Sequence, residues 1–162
     1  MNLKEEILKL KEEKNALIVA HLYQCDEIQE IADIVGDSYF LSKQAMESSK
    51  DLIIFCGVKF MAESAKILSP HKKVLIPSNS TTCPMADMAL VNRLEDLKDK
   101  HPNAKVVSYI NSNLDIKALS DVCVTSSSAI DILNNLNSDE IIFLPDRNLG
   151  GYLAEQLPDK KF

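Results

Sequence analysis

The sequence has no run of about 18 uncharged apolar residues, so nothing in it reads as a membrane-spanning helix. It has no C-x-x-C pair either: the four cysteines, Cys25, Cys56, Cys83 and Cys123, are too scattered for a zinc ribbon or finger. Neither G-x-G-x-x-G nor G-x-x-x-x-G-K-[ST] occurs, which leaves dinucleotide and nucleoside triphosphate sites unsupported. A basic stripe is also missing. Lysines are interleaved with glutamates and aspartates, the formal net charge is −6, and nucleic acid is not expected as a partner. The opening segment MNLKEEILKLKEEKN reads as a charged amphipathic helix and not as a secretion signal. The expected location is the cytoplasm, where disulfides are disfavoured.

What is present is an ordinary soluble composition, 46% hydrophobic and 26% charged over 162 residues, enough for one domain or two small ones. NALIVAHLYQ is a short apolar run with β-branched character and reads as a buried strand; IQEIADIV and FLSKQAMESSK follow as helices. DLIIFCGV is the next strand, KFMAESAKIL a helix and KKVLIPS a third strand. CPMADMALVNRLEDLKDKHPN reads as a helix ending in a turn, after which the series restarts with AKVVSYIN, DIKALSD, VCVTSS, SAIDILNNL, DEIIFLPD and LGGYLAEQL. Strands alternating with helices point to parallel sheets covered by helices. The expected fold class is therefore α/β: two repeated three-layer units with short parallel sheets, over residues 1–84 and 85–162.

The repeat has a register of its own. Tyr109 and Asn111 stand 88 positions after His21 and Tyr23, whereas Thr125 stands 69 after Cys56 and Pro145 stands 68 after Pro77. On that reading the first copy carries an inserted segment, placed at SYFLSKQAMESSKD.

In open parallel sheets ligands bind beyond the carboxyl ends of the strands, where loops meet helix N-termini. The residues at those positions are His21 and Tyr23, Cys56 and Gly57, the Ser78 to Cys83 loop, Tyr109 and Asn111, Thr125 to Ser127, and Asp146 with Arg147. The set is rich in hydroxyls and suits the carboxylates or phosphate of a small anionic substrate. His21 and Tyr23 share a strand face by their spacing of two. Ser38, after the turn permitted by Gly36, is read as a helix cap or a ligand contact, and the TSSS run at 125–128 as an N-cap. Cys56 and Cys123, inside apolar strands, are read as buried, and Met61, Met85 and Met88 as core. Cys83, in a loop between a strand and a helix, is the one cysteine placed for chemistry, because a helix N-terminus favours thiolate.

Taken together, HLYQ…IQEIADIVGDS, IIFCGVKFMAESAKIL, VLIPS…CPMADM, YINSNLDIKALSDVCVTSSSA and FLPDRNLGGYLAEQ resemble quinolinate synthase, a family of NAD biosynthesis, in collinear order along nearly the whole chain. The resemblance implies a condensing transferase that joins iminoaspartate to dihydroxyacetone phosphate. It also implies three α/β units about a pseudo-threefold axis around a 4Fe-4S cluster held by three cysteines, whose open iron position acts as a Lewis acid. By residue-wise match, Cys83 is the first cluster ligand. His21, Tyr23, Tyr109 and Asn111 are catalytic residues that hold the substrate or move its protons, and Ser38, Ser126 and Thr125 contact its phosphate or carboxylates. Lys59, Cys25 and Ser128 depart from the residues usual in the family, and none carries an assigned role.

Family members are longer. The third unit and two cluster cysteines are expected to be absent, so the chain is read as a truncated form, inactive alone, with the cluster incomplete or absent. A homodimer through the surface facing the missing unit is the expected assembly. The alternative reading is a non-catalytic module that binds a dicarboxylate or a triose phosphate.

Overall fold

The computed structural model describes residues 2–162. The chain divides into two compact units between Thr82 and Cys83.

The first unit opens with α1 (Leu3–Glu13), whose Asn2 and Glu5 cap one another reciprocally. Asn15, at φ 50°, turns the chain out of that helix. Then follow β1 (Ala16–His21), α2 (Asp26–Gln29), β2 (Ile34–Gly36), α3 (Ser38–Glu47), β3 (Leu52–Cys56), α4 (Lys59–Leu68) and β4 (Lys73–Leu75). The four strands form one parallel sheet in the order β2-β1-β3-β4. All six residues of β1 are buried, as expected of a central strand covered on both faces. On one face Ile18, Ala20 and Cys56 pack with Ile7 of α1 and Ile28 of α2. The alternate residues of the strands, Val19, Ile53 and Phe55, are fully buried, as are Leu41 and Ala45 of α3 and Ala65 of α4.

The second unit comprises α5 (Pro84–Asp87), α6 (Val91–Lys100), β5 (Lys105–Tyr109), α7 (Leu114–Ala118), β6 (Val122–Val124), α8 (Ala129–Asn134), β7 (Ile141–Leu144) and α9 (Arg147–Gln156). Its parallel sheet has the order β6-β5-β7. Leu94, Val106 and Ile116 form the core on the α6 and α7 side. Val107, Val124, Ala129, Leu133 and Leu153 form the core on the α8 and α9 side. Each unit is thus α/β with a parallel sheet, as the alternation of strands and helices predicts.

The structure corrects several details. IQEIADIV is not one helix: α2 ends at Gln29, and Ile34–Gly36 form β2. The Asp33 side chain decides this. Its carboxylate accepts from the Ile18 N–H at 2.9 Å and from Lys11 Nζ at 2.6 Å, which ties the segment to β1 and brings the next three residues into register with Val19, Ala20 and His21. The CPMADM helix is also two elements, α5 and α6, separated by Met88 to Leu90.

With β2 in place the repeat register changes. β1 pairs with β3 through Val19 and Phe55, and β5 pairs with β7 through Val107 and Phe143, so β3 corresponds to β7 and not to β6. The offset is 88 throughout, with no inserted segment. Asp121 accepts from Val106 N–H at 2.8 Å as Asp33 does from Ile18, and Lys160 Nζ donates to the carbonyls of Leu136 and Ser138 as Lys72 Nζ does to those of Ala45, Met46 and Ser48. Cys123, read as buried, is exposed because β6 is an edge strand; its Sγ lies 3.1 Å from Ser108 Oγ. Met88 is 70% exposed and is not core. Among the described residues no helix is long and apolar enough to cross a membrane.

Candidate active site

In the first unit, three of the expected residues meet at the carboxyl end of the sheet. His21 closes β1 opposite Gly36, the last residue of β2, and the chain passes from there through Asp37 into Ser38 at the start of α3. The imidazole is buried. The Tyr23 backbone N–H donates to its Nδ1 at 3.2 Å, and the Tyr23 ring stands edge-on to it with centroids 4.7 Å apart. Because Nδ1 accepts, the proton of the neutral ring sits on Nε2, the nitrogen available to a ligand. Burial lowers the His21 pKa, against the opposing pull of the Asp37 carboxylate. The Tyr23 side chain is 86% exposed, a large amphipathic group held at the rim by its contact with His21.

Ser38 is half-buried and is not the cap of α3. That role belongs to Asp37, whose carboxylate accepts from the Phe40 N–H at 2.8 Å. Asp37 was not singled out from the sequence. It both starts the helix and faces His21 with a negative charge, and the legible signal was an aspartate three residues ahead of Phe40, directly after the glycine that ends β2. No side chain fits at Gly36 without displacing the Phe40 ring, which a Cβ would meet at 2.3 Å.

The second unit repeats this corner with different chemistry. Tyr109 ends β5 opposite Val124, the last residue of β6. Its carbonyl accepts from Ser112 Oγ at 2.7 Å, which folds the turn that presents Asn111, itself half-buried. Thr125 occupies the position of Asp37 and acts in the same way: its Oγ1 accepts from the Ser128 N–H at 3.2 Å, while Ser128 Oγ accepts from the Thr125 N–H at 3.0 Å. This reciprocal pair closes the turn that leads into α8, whose N-cap, Ser128, makes no side-chain capping bond, and Ser126, the counterpart of Ser38, is left exposed.

Cys83 is half-buried and directly precedes Pro84, the first residue of α5. A helix of one turn offers little dipole, so the exposure of the thiol and not the helix is what leaves it available. Cys56, by contrast, is buried, and burial raises its pKa. Among the described residues, no three His, Cys, Asp or Glu side chains gather as a metal site. Cys25 and Cys123 are exposed as well, but no three thiols gather among the described residues, so the residues present do not fit a whole 4Fe-4S cluster, which needs three or four thiolates.

The model of the family described as quinolinate synthetase A protein matches residues 5–162. The chain belongs to the quinolinate synthetase A protein family. It is 64% identical over 162 residues to a quinolinate synthase of Clostridium perfringens, covering 100% of this chain and 54% of that protein. It is 64% identical over 159 residues to one of Clostridium acetobutylicum, covering 98% and 52% respectively. With a quinolinate synthase of Caldicellulosiruptor bescii the identity is 60% over 158 residues, again 98% of this chain and 52% of the relative. The chain thus spans about half the length of the curated relatives it matches.

Proposed function

We propose that this chain carries the substrate-side residues of a quinolinate synthase, which condenses iminoaspartate with dihydroxyacetone phosphate and releases phosphate and water. The observation that carries the reading is the end-to-end match to the family over residues 5–162. His21, with its proton on Nε2, donates a hydrogen bond to a substrate oxygen and can return that proton as bonds to oxygen break. The neutral form, favoured by burial, also keeps the corner from repelling an imine nitrogen that must itself be protonated and deprotonated.

Tyr23 closes over the ligand from the rim. Ser38, the first residue of α3 beside its Asp37 cap, and Ser126, in the turn ahead of α8, donate hydroxyl hydrogen bonds to phosphate or carboxylate oxygens. Thr125 therefore contributes more to holding Ser126 in place than to the ligand. Tyr109 and Asn111 supply a phenol and an amide for orientation. Cys83 is the ligand this chain offers a 4Fe-4S cluster, which when bound supplies a Lewis-acidic iron; the remaining ligands are not among the residues described here.

The test is direct. The 162-residue chain is incubated anaerobically with iron, sulfide, iminoaspartate and dihydroxyacetone phosphate. The expected result is no quinolinate, with calorimetric binding of a dicarboxylate or triose phosphate that is weakened in Ser38→Ala. Sustained quinolinate formation overturns the claim that Cys83 alone does not complete the cluster. Absence of binding in both proteins overturns the substrate-side assignment.

A further inference from the structure

We propose that Asp37 is a positioning residue for His21, a fixed negative charge that supports the imidazole as it takes up and gives away a proton, over and above its part in starting α3. Its place in the reaction rests on the substrate-side reading above; its effect on the imidazole does not. The backbone fixes where the carboxylate stands. His21 pairs with Gly36 in the parallel ladder of β1 and β2, and the Leu22 N–H donates to the Gly36 carbonyl at 3.0 Å, so the pairing holds up to the residue before Asp37. Paired strands lie about 4.8 Å apart, which sets Asp37 a strand's width away, one residue past the rung that His21 occupies. Its carboxylate accepts from the Phe40 N–H at 2.8 Å and its carbonyl from the Leu41 N–H at 3.0 Å, so neither side chain nor backbone is free to swing away.

Folding alone does not ask for a charge at this position. Asparagine and serine cap a helix about as well as aspartate, and 88 positions on, Thr125 closes the matching turn with a neutral hydroxyl, its Oγ1 accepting from the Ser128 N–H. The two turns stand beside different groups: a buried imidazole at His21 and a phenol at Tyr109. A buried imidazole loses hydration when it becomes charged, and a nearby carboxylate offsets part of that loss. The two polar groups set against the ring act in opposite senses. The Tyr23 N–H occupies Nδ1, the nitrogen that a second proton must take, and so favours the neutral ring. Asp37 favours the charged ring and opposes the lowering of the His21 pKa by burial. Cys56, opposite Ala20 on the other neighbouring strand, adds no charge at neutral pH, because burial raises its thiol pKa. The charged ring gives its Nε2 proton to a substrate oxygen and returns to neutral, and Asp37 is what keeps that charged ring within reach.

The experiment follows the ring nitrogens of the three histidines by NMR through a pH titration of the 162-residue chain, with His21→Asn assigning the His21 signals. Asp37→Asn keeps a capping side chain and removes the charge, whereas Asp37→Ala removes both. The His21 midpoint is expected to move to lower pH in both variants, with the melting temperature close to native in Asp37→Asn and lowered in Asp37→Ala. An unchanged or higher midpoint in folded Asp37→Asn overturns the proposal and leaves Asp37 a helix cap only. Asp37→Ser, a second uncharged cap, gives the same reading should the asparagine variant fail to fold. The titration needs no substrate, so a native chain that binds neither a dicarboxylate nor a triose phosphate overturns the substrate-side reading alone.

Discussion

Tyr23 holds His21 twice, by its backbone N–H on Nδ1 at 3.2 Å and by an edge-on ring contact at 4.7 Å between centroids. The contact fixes the tautomer of a buried imidazole and fills its acceptor without adding charge.

That relationship has a consequence in pH. Burial lowers the folded-state pKa of His21 from 6.5, so between the two values the unfolded chain binds the proton that the folded chain refuses. The stability His21 contributes is complete above pH 6.5 and is lost as pH falls toward the folded value. Urea midpoints measured between pH 7 and pH 5 should therefore drop more steeply in the native chain than in His21→Asn; parallel slopes would contradict the burial argument.

Asp121 stabilises the second unit in a more acidic titration range. Burial pushes its pKa up, but the Lys105 hydrogen bond at 2.7 Å, the Val106 N–H and the charges of Lys105 and Lys98 outweigh it and hold the carboxyl below its usual value. Its contribution is present above the unfolded carboxylate pKa and is lost as acid protonates it. Asp121→Ala should cost about 1 kcal/mol at neutral pH, with the deficit shrinking toward pH 3, as read from urea unfolding.

Lys72 is 3% exposed and forms no ion pair among the described residues; its Nζ donates to the carbonyls of Ala45, Met46 and Ser48, where α3 ends. These are the orphan acceptors of a helix C-terminus. Lys72→Met keeps the volume and leaves the three oxygens without that donor, at a cost of about 2 to 4 kcal/mol. Lys73→Met, one residue on and exposed, should change stability by less than about 0.5 kcal/mol. Thermal melts of the two variants decide the matter.

Ser69 offers a gain instead. It is fully buried at the end of α4, and its hydroxyl has no hydrogen-bond partner among the described residues. Its repeat counterpart is Leu157, an apolar residue. Ser69→Ala removes an unmet polar group and should raise stability by about 1 kcal/mol; a lower melting temperature would show that the hydroxyl is satisfied by water.

The strongest strands were legible because β1, β3, β5 and β7 are buried apolar runs, a pattern that needs no tertiary knowledge. β2 was not. Ile28, Ile31 and Ile34 recur at helical spacing, and what makes Ile34–Gly36 a strand is the Asp33 carboxylate reaching Ile18, a contact no local window contains. Missing β2 paired β3 with β6 and created an insertion that does not exist. The same kind of error buried Cys123, since edge position is a property of the sheet and not of VCV. His21 and Tyr23 could be placed at a strand end by position alone, whereas Asp37 gains its role only once β2 delivers it beside His21.

An exact spacing of 88 residues makes each half of the molecule a natural experiment on the other. One scaffold is sampled twice, with imidazole, phenol and carboxylate at 21, 23 and 37, and phenol, amide and hydroxyl at 109, 111 and 125. The shared frame, two aspartates and two lysines that bond to backbone carbonyls, is what folding demands, and the differences at the strand ends are what separate duties require. Exchanging the residues of one corner for those of the other would therefore test specialisation directly, on a backbone already known to accept both sets.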